Sequence, residues 1–252
     1  MKLKNQVVII TGGASGMGQA CVKLCLEYGA RVAIWDTQTA NDSVISNHTV
    51  AFHCDVSSEQ AVEKALQQTI ATIGLPRICI NCAGIAPAKR MVGKEGPMPL
   101  ADFQKVISVN LIGTFNVMRV VAAAMLKLEP DQASSERGVI INTASVAAFE
   151  GQIGQMAYSA SKGGVVAMTL PAARELAQHA IRVNTIAPGL IATPMLLSMP
   201  KEVQTSLAAS VTFPKRLGRP DEFAQLALHL IENELINGEV IRLDGALRMQ
   251  AK

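Results

Sequence analysis

Short runs of β-branched and other apolar residues alternate with longer stretches in which apolar positions recur every three or four residues. Residues 7–10, 31–35, 50–54, 78–80, 138–141, 181–187 and 239–243 read as seven strands. Helical spacing covers 20–26, then 62–73 through Val62, Leu66, Ile70 and Ile73, then 101–128 and 158–179. Pro220-Asp221-Glu222, with proline in the first turn and early negative charge, predicts the start of a last helix. Gly29 and Gly74 read as helix stops, and Ser57 with Gln60 has the spacing of a capping box. Pro171 inside the 158–179 pattern predicts a kink. Residues 37–48 are polar and weakly patterned, which suggests a short helix or a loop. Residues 85–99, rich in glycine and proline, read as a loop, and 129–137 as a polar exposed connection. Residues 190–213 are apolar but irregular, and the segment from about 190 to 215 is expected to be a lid over a substrate. Strands and helices alternate with no internal repeat or linker. The pattern therefore predicts a single α/β domain spanning 1–252, built on a doubly wound, parallel, seven-stranded sheet.

The strand ends carry the polar residues. Residues 11–18 read Thr-Gly-Gly-Ala-Ser-Gly-Met-Gly, between the first strand and the first helix. Such a turn lets backbone amides approach a pyrophosphate at a helix N-terminus, where the dipole favours negative charge. A glycine cluster alone is weak evidence. Here it leads into a second strand ending in Asp36, a carboxylate suited to the adenosine ribose hydroxyls and repulsive to a 2′-phosphate. No basic residue in the turn offsets that charge, so the prediction is a Rossmann-type site for NAD rather than NADP. Ligands of doubly wound sheets bind where the strand order reverses. Gly12, Ser15, Gly16, Met17 and Gly18 are expected there, with Asp36, Asp55 and Val56, then Asn81, Ala83 and Gly84, and finally Pro188 and Gly189. Asp55 either accepts from the adenine amino group or is a loop carboxylate near a helix start.

Candidate chemistry centres on 142–162. Ser145 follows the fifth strand. Tyr158 and Lys162 are four apart, one helical turn on one face. A free phenol titrates near ~10, and bringing it to about 7 takes roughly 4 kcal/mol. One ammonium at about 4 Å supplies about that much at an effective dielectric near 20. Tyr158 would then exchange a proton with an alcohol oxygen that Ser145 holds. Taken alone, such a pair more often packs with the lysine snorkelling; its place at the strand ends beside the glycine turn is what changes the reading. Asn110 sits among apolar neighbours in the 101–128 helix and must be satisfied, by backbone or by a water.

Composition narrows the class. Charged residues are 17% and the net charge is +3, with no basic run, so nucleic acid is not an expected partner. The five cysteines form no disulfide framework. Cys79 and Cys82 have the spacing of half a zinc or redox motif, but no second pair follows, so no metal is expected and the cysteines read as small buried residues in a reducing compartment. The first strand begins by Gln6, which leaves no room for a signal peptide, and no apolar run approaches a membrane span. The expectation is a soluble, intracellular, cytoplasmic protein.

With these residues in place, the chain resembles the short-chain dehydrogenase/reductase family over nearly its whole length. TGGASGMG matches that family's glycine motif, and Asn81-Cys82-Ala83-Gly84 its strand-four motif, with Cys82 where a second asparagine is commoner. Asn110, Ser145, Tyr158 and Lys162 match its catalytic tetrad. Pro188-Gly189 and Thr193 match its nicotinamide-side segment. RGVIINTASVAAFEGQ, AYSASKGG, IRVNTIAPGL and NGEVIRLDGALRMQ are similar to its type 2 3-hydroxyacyl-CoA dehydrogenase branch, also called 17β-hydroxysteroid dehydrogenase type 10. The resemblance implies NAD-linked interconversion of short or branched 3-hydroxyacyl-CoA and 3-oxoacyl-CoA. Hydroxysteroid or 3-oxoacyl-carrier-protein chemistry is the alternative. It also implies a homotetramer, and the mitochondrial matrix for a eukaryotic source. By motif, Tyr158 is the base, Lys162 lowers its pKa and contacts the nicotinamide ribose, Ser145 orients the substrate oxygen, and Asn110 positions a water. Lys201, Lys215 and Arg216 flank the expected lid, where they would meet the CoA phosphates or be plain surface charge.

Overall fold

A computed structural model of the protein describes residues 1–39 and 43–251. In chain order the elements are β1 (Val7–Thr11), α1 (Gly16–Glu27), β2 (Arg31–Asp36), β3 (Ser43–Ser46), β4 (Thr49–His53), α2 (Glu59–Ile73) and β5 (Ile78–Asn81). A small hairpin of β6 (Val92–Gly93) and β7 (Gly96–Pro97) precedes α3 (Leu100–Ile107), a π turn (Ser108–Ile112) and α4 (Gly113–Met125). Then come β8 (Gly138–Thr143), α5 (Met156–Ala177), β9 (Ile181–Pro188), α6 (Pro194–Leu197), α7 (Lys201–Ser210), α8 (Pro220–Glu232) and β10 (Val240–Leu243).

The main sheet runs β10-β9-β8-β5-β1-β2-β4-β3. The seven expected strands are all parallel, as the alternation predicts. The strand order reverses between β1 and β5, which places a crevice at their carboxyl ends. Strand periodicity divides the core. Val7 and Ile9 pack with Val62, Leu66, Val117 and Val121 of α2 and α4, whereas Val8 and Ile10 pack with Cys21, Cys25, Phe223 and Ala227 of α1 and α8.

Several expectations change. Within the polar stretch 37–48, residues 43–46 form an eighth strand, antiparallel to β4 at the sheet edge; residues 40–42 lie outside the described part. A short edge strand needs little apolar patterning, because only one side is paired. The N-cap of α2 is Ser58, which accepts from the Ala61 amide at 3.3 Å, one residue beyond the capping box read from Ser57. The loop 85–99 contains the β6–β7 hairpin. The connection 129–137 is not all exposed: Glu136 is buried and pairs with the equally buried Arg182 of β9. The helix through Leu100–Met125 is long and apolar enough, by composition, to cross a membrane. Half of its most apolar window is nevertheless buried within the domain, where it packs on α2 and α5 as a core helix.

Candidate active site

Six of the seven parallel strands, β1, β2, β4, β5, β8 and β9, each deliver a piece of the site at the carboxyl end. After β1, Gly12 has φ +66°, and a β-carbon there would lie 2.8 Å from the Ala83 amide nitrogen that follows β5. The two strand ends thus meet with room for backbone only. Thr11 fastens them: its buried hydroxyl accepts from the Cys82 and Ala83 amides, both at 3.2 Å. Gly18 packs α1 against the turn, since a β-carbon would sit 2.2 Å from the Gly12 carbonyl oxygen. Ser15 is the N-cap of α1 without a side-chain cap bond, so its hydroxyl does not occupy the first-turn amides. Those amides of Gly16, Met17 and Gly18 face the crevice end of a helix whose dipole favours an anion. Thr193 and Pro194 close the far side, with the Thr193 methyl 3.3 Å from where a Gly16 β-carbon would be.

Asp36, at the end of β2, is 8% exposed. One carboxylate oxygen accepts from the Ala14 amide at 3.0 Å and the other from the Gln38 amide at 2.9 Å. The charge is therefore fixed beside the glycine turn, with lone pairs left for ribose hydroxyls. Asp55 follows β4 and accepts from the Ser57 amide (2.9 Å) and hydroxyl (2.7 Å) through one oxygen, which makes it a turn-forming carboxylate. Buried Val56 accepts from Asn116 through its carbonyl at 3.0 Å. Asn81 donates to Asn142 on the neighbouring strand at 2.9 Å. Gly84 lies between two candidate residues: a β-carbon there would be 3.2 Å from Asn110 Oδ1 and 3.6 Å from Lys162 Nζ. Pro188 ends β9, and the Gly189 amide bonds the Leu243 carbonyl at 2.9 Å.

The catalytic candidates converge. Ser145 follows β8; its Oγ accepts from the Ala147 amide at 3.1 Å, which leaves its proton to donate, and it is near enough to the Tyr158 phenol to favour the phenolate. Lys162 is buried, donates to the Thr143 carbonyl at 2.6 Å, and lies 5.9 Å from the Tyr158 ring centroid. Asn110 is fully buried in the π turn. Its amide donates to the Ile85 carbonyl (2.8 Å) and Ser161 Oγ (3.1 Å), and its oxygen accepts from the Ile85 amide (2.8 Å). It is satisfied by backbone and by α5, and both of its donors are used. Insertion of one residue into a helix as a π turn is a common functional-site device.

The electrostatics correct one expectation. Burial pushes the Tyr158 phenol above its ordinary value, while the Ser145 hydrogen bond pulls it down. Burial also lowers the Lys162 ammonium to about 8. The lysine bonds the Thr143 carbonyl 5.9 Å from the ring centroid, and desolvation is the largest influence on the phenol. The phenol is thus protonated at neutral pH, which is the form that delivers a proton to a ketone oxygen. A cation entering the crevice acts in the opposite sense. Arg216, one of the cations considered for CoA phosphates, is committed elsewhere. It forks onto Glu222 at 2.9 and 2.7 Å and holds that carboxyl down to about 2.

Sequence patterns did not single out Thr11, Ser161 and Thr143 as site residues. The signal for Thr11 is a hydroxyl at the last position of a β-branched run, where it reaches the next strand end.

Residues 6–204 match the short chain dehydrogenase family model. The chain is 52% identical over 254 residues to human 3-hydroxyacyl-CoA dehydrogenase type-2, covering 98% of this chain and 97% of that one. It is 49% identical to the Drosophila melanogaster protein of the same name, covering 98% and 99%. Among solved structures it is similar to the 3-hydroxyacyl-CoA dehydrogenase type-2 of Mycobacterium avium, with a TM-score of 0.92 and 40% identity over the whole of both chains. The agreement of strand-end geometry with full-length similarity leaves one assignment: this chain belongs to the short-chain dehydrogenase family.

Proposed function

We propose that the protein is an NAD-dependent 3-hydroxyacyl-CoA dehydrogenase acting on short or branched acyl chains, in the cytoplasm or, for a eukaryotic source, in the mitochondrial matrix. The observation that carries this reading is the convergence of Ser145, Tyr158 and Lys162 beside the glycine turn, in a chain about half identical to relatives bearing that name. A bound nicotinamide ring supplies the hydride acceptor or donor. The chain supplies the rest. Ser145 donates to the substrate oxygen, Tyr158 holds or takes the proton, and Lys162 sets the charge beneath them. Asn110 locks the π turn beside Lys162. The segment from about 190 to 215, carrying α6 and α7, is the lid, and the assembly is a homotetramer.

The test is reduction of acetoacetyl-CoA, followed as loss of NADH. Turnover with CoA esters and none with sugars or polyols is expected. Activity on a polyol or a hydroxysteroid with none on CoA esters would sink the reading.

Asp36 carries the choice of dinucleotide. A carboxylate facing a 2′-phosphate at about 4 Å costs several kcal/mol before screening, so Asp36→Asn is expected to shift the NADP-to-NAD preference by roughly ten- to a hundred-fold towards NADP. The comparison of kcat/KM for both dinucleotides checks it. Equal use of the two by the unmodified protein overturns the assignment to NAD.

A further inference from the structure

The loop between Ser145 and the helix bearing Tyr158 has little regular structure, yet one carboxylate anchors it. Arg242, on the rigid edge strand β10, forks onto Glu150 with bonds of 2.8 and 2.9 Å. Its Nε bonds Asp244 at 2.7 Å, and its guanidinium lies 5.3 Å from the Phe149 ring centroid. The Met249 amide also donates to Glu150, at 3.3 Å. Two further bonds continue the seam: Gln152 Nε2 to the Gln250 carbonyl (3.1 Å) and the Ile153 amide to the Ala251 carbonyl (3.0 Å). On the other flank, the Gly154 carbonyl accepts from the Lys89 amide at 2.8 Å. The C-terminal segment, the loop and the base of the β6–β7 hairpin therefore form one hydrogen-bonded strip. That strip lines an open cavity of about 610 Å³, with Lys89, Arg90, Gln152, Ile153, Met156 and Ser159 in its wall.

We propose that Glu150 is a positioning residue: held by Arg242, it fixes residues 151–154 as a wall of the substrate cavity, with the C-terminal segment as the outer support. The inference rests on the dehydrogenase reading, because the cavity adjoins the residue after Tyr158. Two observations confine the effect to substrate binding. The loop is tied at both ends by bonds of its own, from the Glu150 amide to the Val146 carbonyl (3.0 Å) and from the Ser159 amide to the Gln155 carbonyl (2.7 Å). Ser145 and Lys162 keep their separate anchors at Ala147 and Thr143. The Glu150 carboxyl is itself held below the usual range, chiefly by the Arg242 hydrogen bonds, so it acts as a charge at neutral pH.

Glu150→Gln keeps the shape and removes the charge. The expected result is a substrate KM raised about ten-fold, with kcat and the dissociation constant of NADH within about two-fold. Arg242→Lys, which keeps the charge but loses the fork, should give a smaller rise in the same constant. Amide hydrogen exchange at 151–154 should quicken in both variants while that at 12–18 does not. An unchanged substrate KM alongside faster exchange overturns the proposal, and so does a joint rise in substrate KM and NADH dissociation constant. Should the unmodified protein turn over no CoA ester, only the substrate reading fails; the positioning role is then judged on the KM of whichever ketone or alcohol it does turn over.

Discussion

Phenylalanine in place of Tyr158 is expected to cut kcat by on the order of 10³-fold or more while NADH still binds within about three-fold of its normal affinity. The hydroxyl is the only feature removed. Without it, the oxygen of the substrate loses its proton partner, and Ser145 can only hydrogen-bond that oxygen. The substitution leaves Lys162 bonded to the Thr143 carbonyl and the glycine turn untouched, so the dinucleotide side is preserved. Trp35 supplies the binding readout. It is the one tryptophan, fully buried at the end of β2 next to Asp36, with its ring nitrogen bonded to Thr69 at 3.0 Å. Energy transfer from this indole to bound NADH reports occupancy without turnover. Loss of that signal together with activity would mean the tyrosine is structural; retention of activity would end the mechanism.

The direction of proton flow enters the same experiment. Because burial raises the phenol, the protonated form dominates at neutral pH and ketone reduction is served directly. Oxidation needs the phenolate, so its rate should keep rising with pH through and above neutrality, and Tyr158→Phe should flatten that rise. A reduction rate that falls only at high pH is the counterpart.

What could be seen beforehand followed from local chemistry. The seven parallel strands showed as β-branched runs, and their polar ends marked the crevice because buried strands tolerate polar side chains only where they emerge. Ser145 was legible for the same reason, whereas Tyr158 and Lys162 showed through their four-residue spacing on one helix face. The sign of the phenol shift was not, since it depends on how much solvent the folded cleft removes, and no spacing encodes that. β3 escaped because its pairing with β4 stabilises four residues that have little pattern of their own. The Glu150–Arg242 fork joins residues 92 apart, each looking like ordinary surface charge. Arg182 did carry a signal: an arginine within the otherwise apolar and small polar run IRVNTIAP, all of it buried, requires partners that the run itself cannot supply.

Arg182 carries the largest expected effect on stability. Its guanidinium donates to Glu136, to the Leu230 (2.7 Å) and Ile231 (2.9 Å) carbonyls, and to the Ile236 carbonyl (2.9 Å). Leu230 and Ile231 lie in the last turn of α8, whose carbonyls have no intrahelical partner. One side chain thus pairs with a buried carboxylate, which it shares with the Met1 ammonium at 3.3 Å, and caps a buried helix end. Arg182→Met fills similar volume but takes a charged donor from all four acceptors and leaves the Leu230 carbonyl without a side-chain donor, while the Met1 ammonium still reaches Glu136 (3.3 Å) and the Ile231 carbonyl (3.4 Å). The expected cost is about 3–5 kcal/mol, a fall in Tm of roughly 6–20 °C. Pairing it with Glu136→Leu should recover part of the loss, because the carboxylate left without its arginine goes while the Leu230 carbonyl still lacks its donor. A cost under about 1 kcal/mol for the single variant would show that water or a rearranged side chain satisfies these groups. The clamp also fixes β9 against the turn leading to β10, helped by Asn184, which bonds the same Ile236 carbonyl at 2.8 Å. The far end of β9 is Pro188, so slack here would reach the nicotinamide side of the crevice. NADH at a fixed excess distinguishes the two consequences. An equal rise in Tm for variant and parent places the loss in global stability alone, whereas a smaller rise in the variant shows that the clamp also shapes the site.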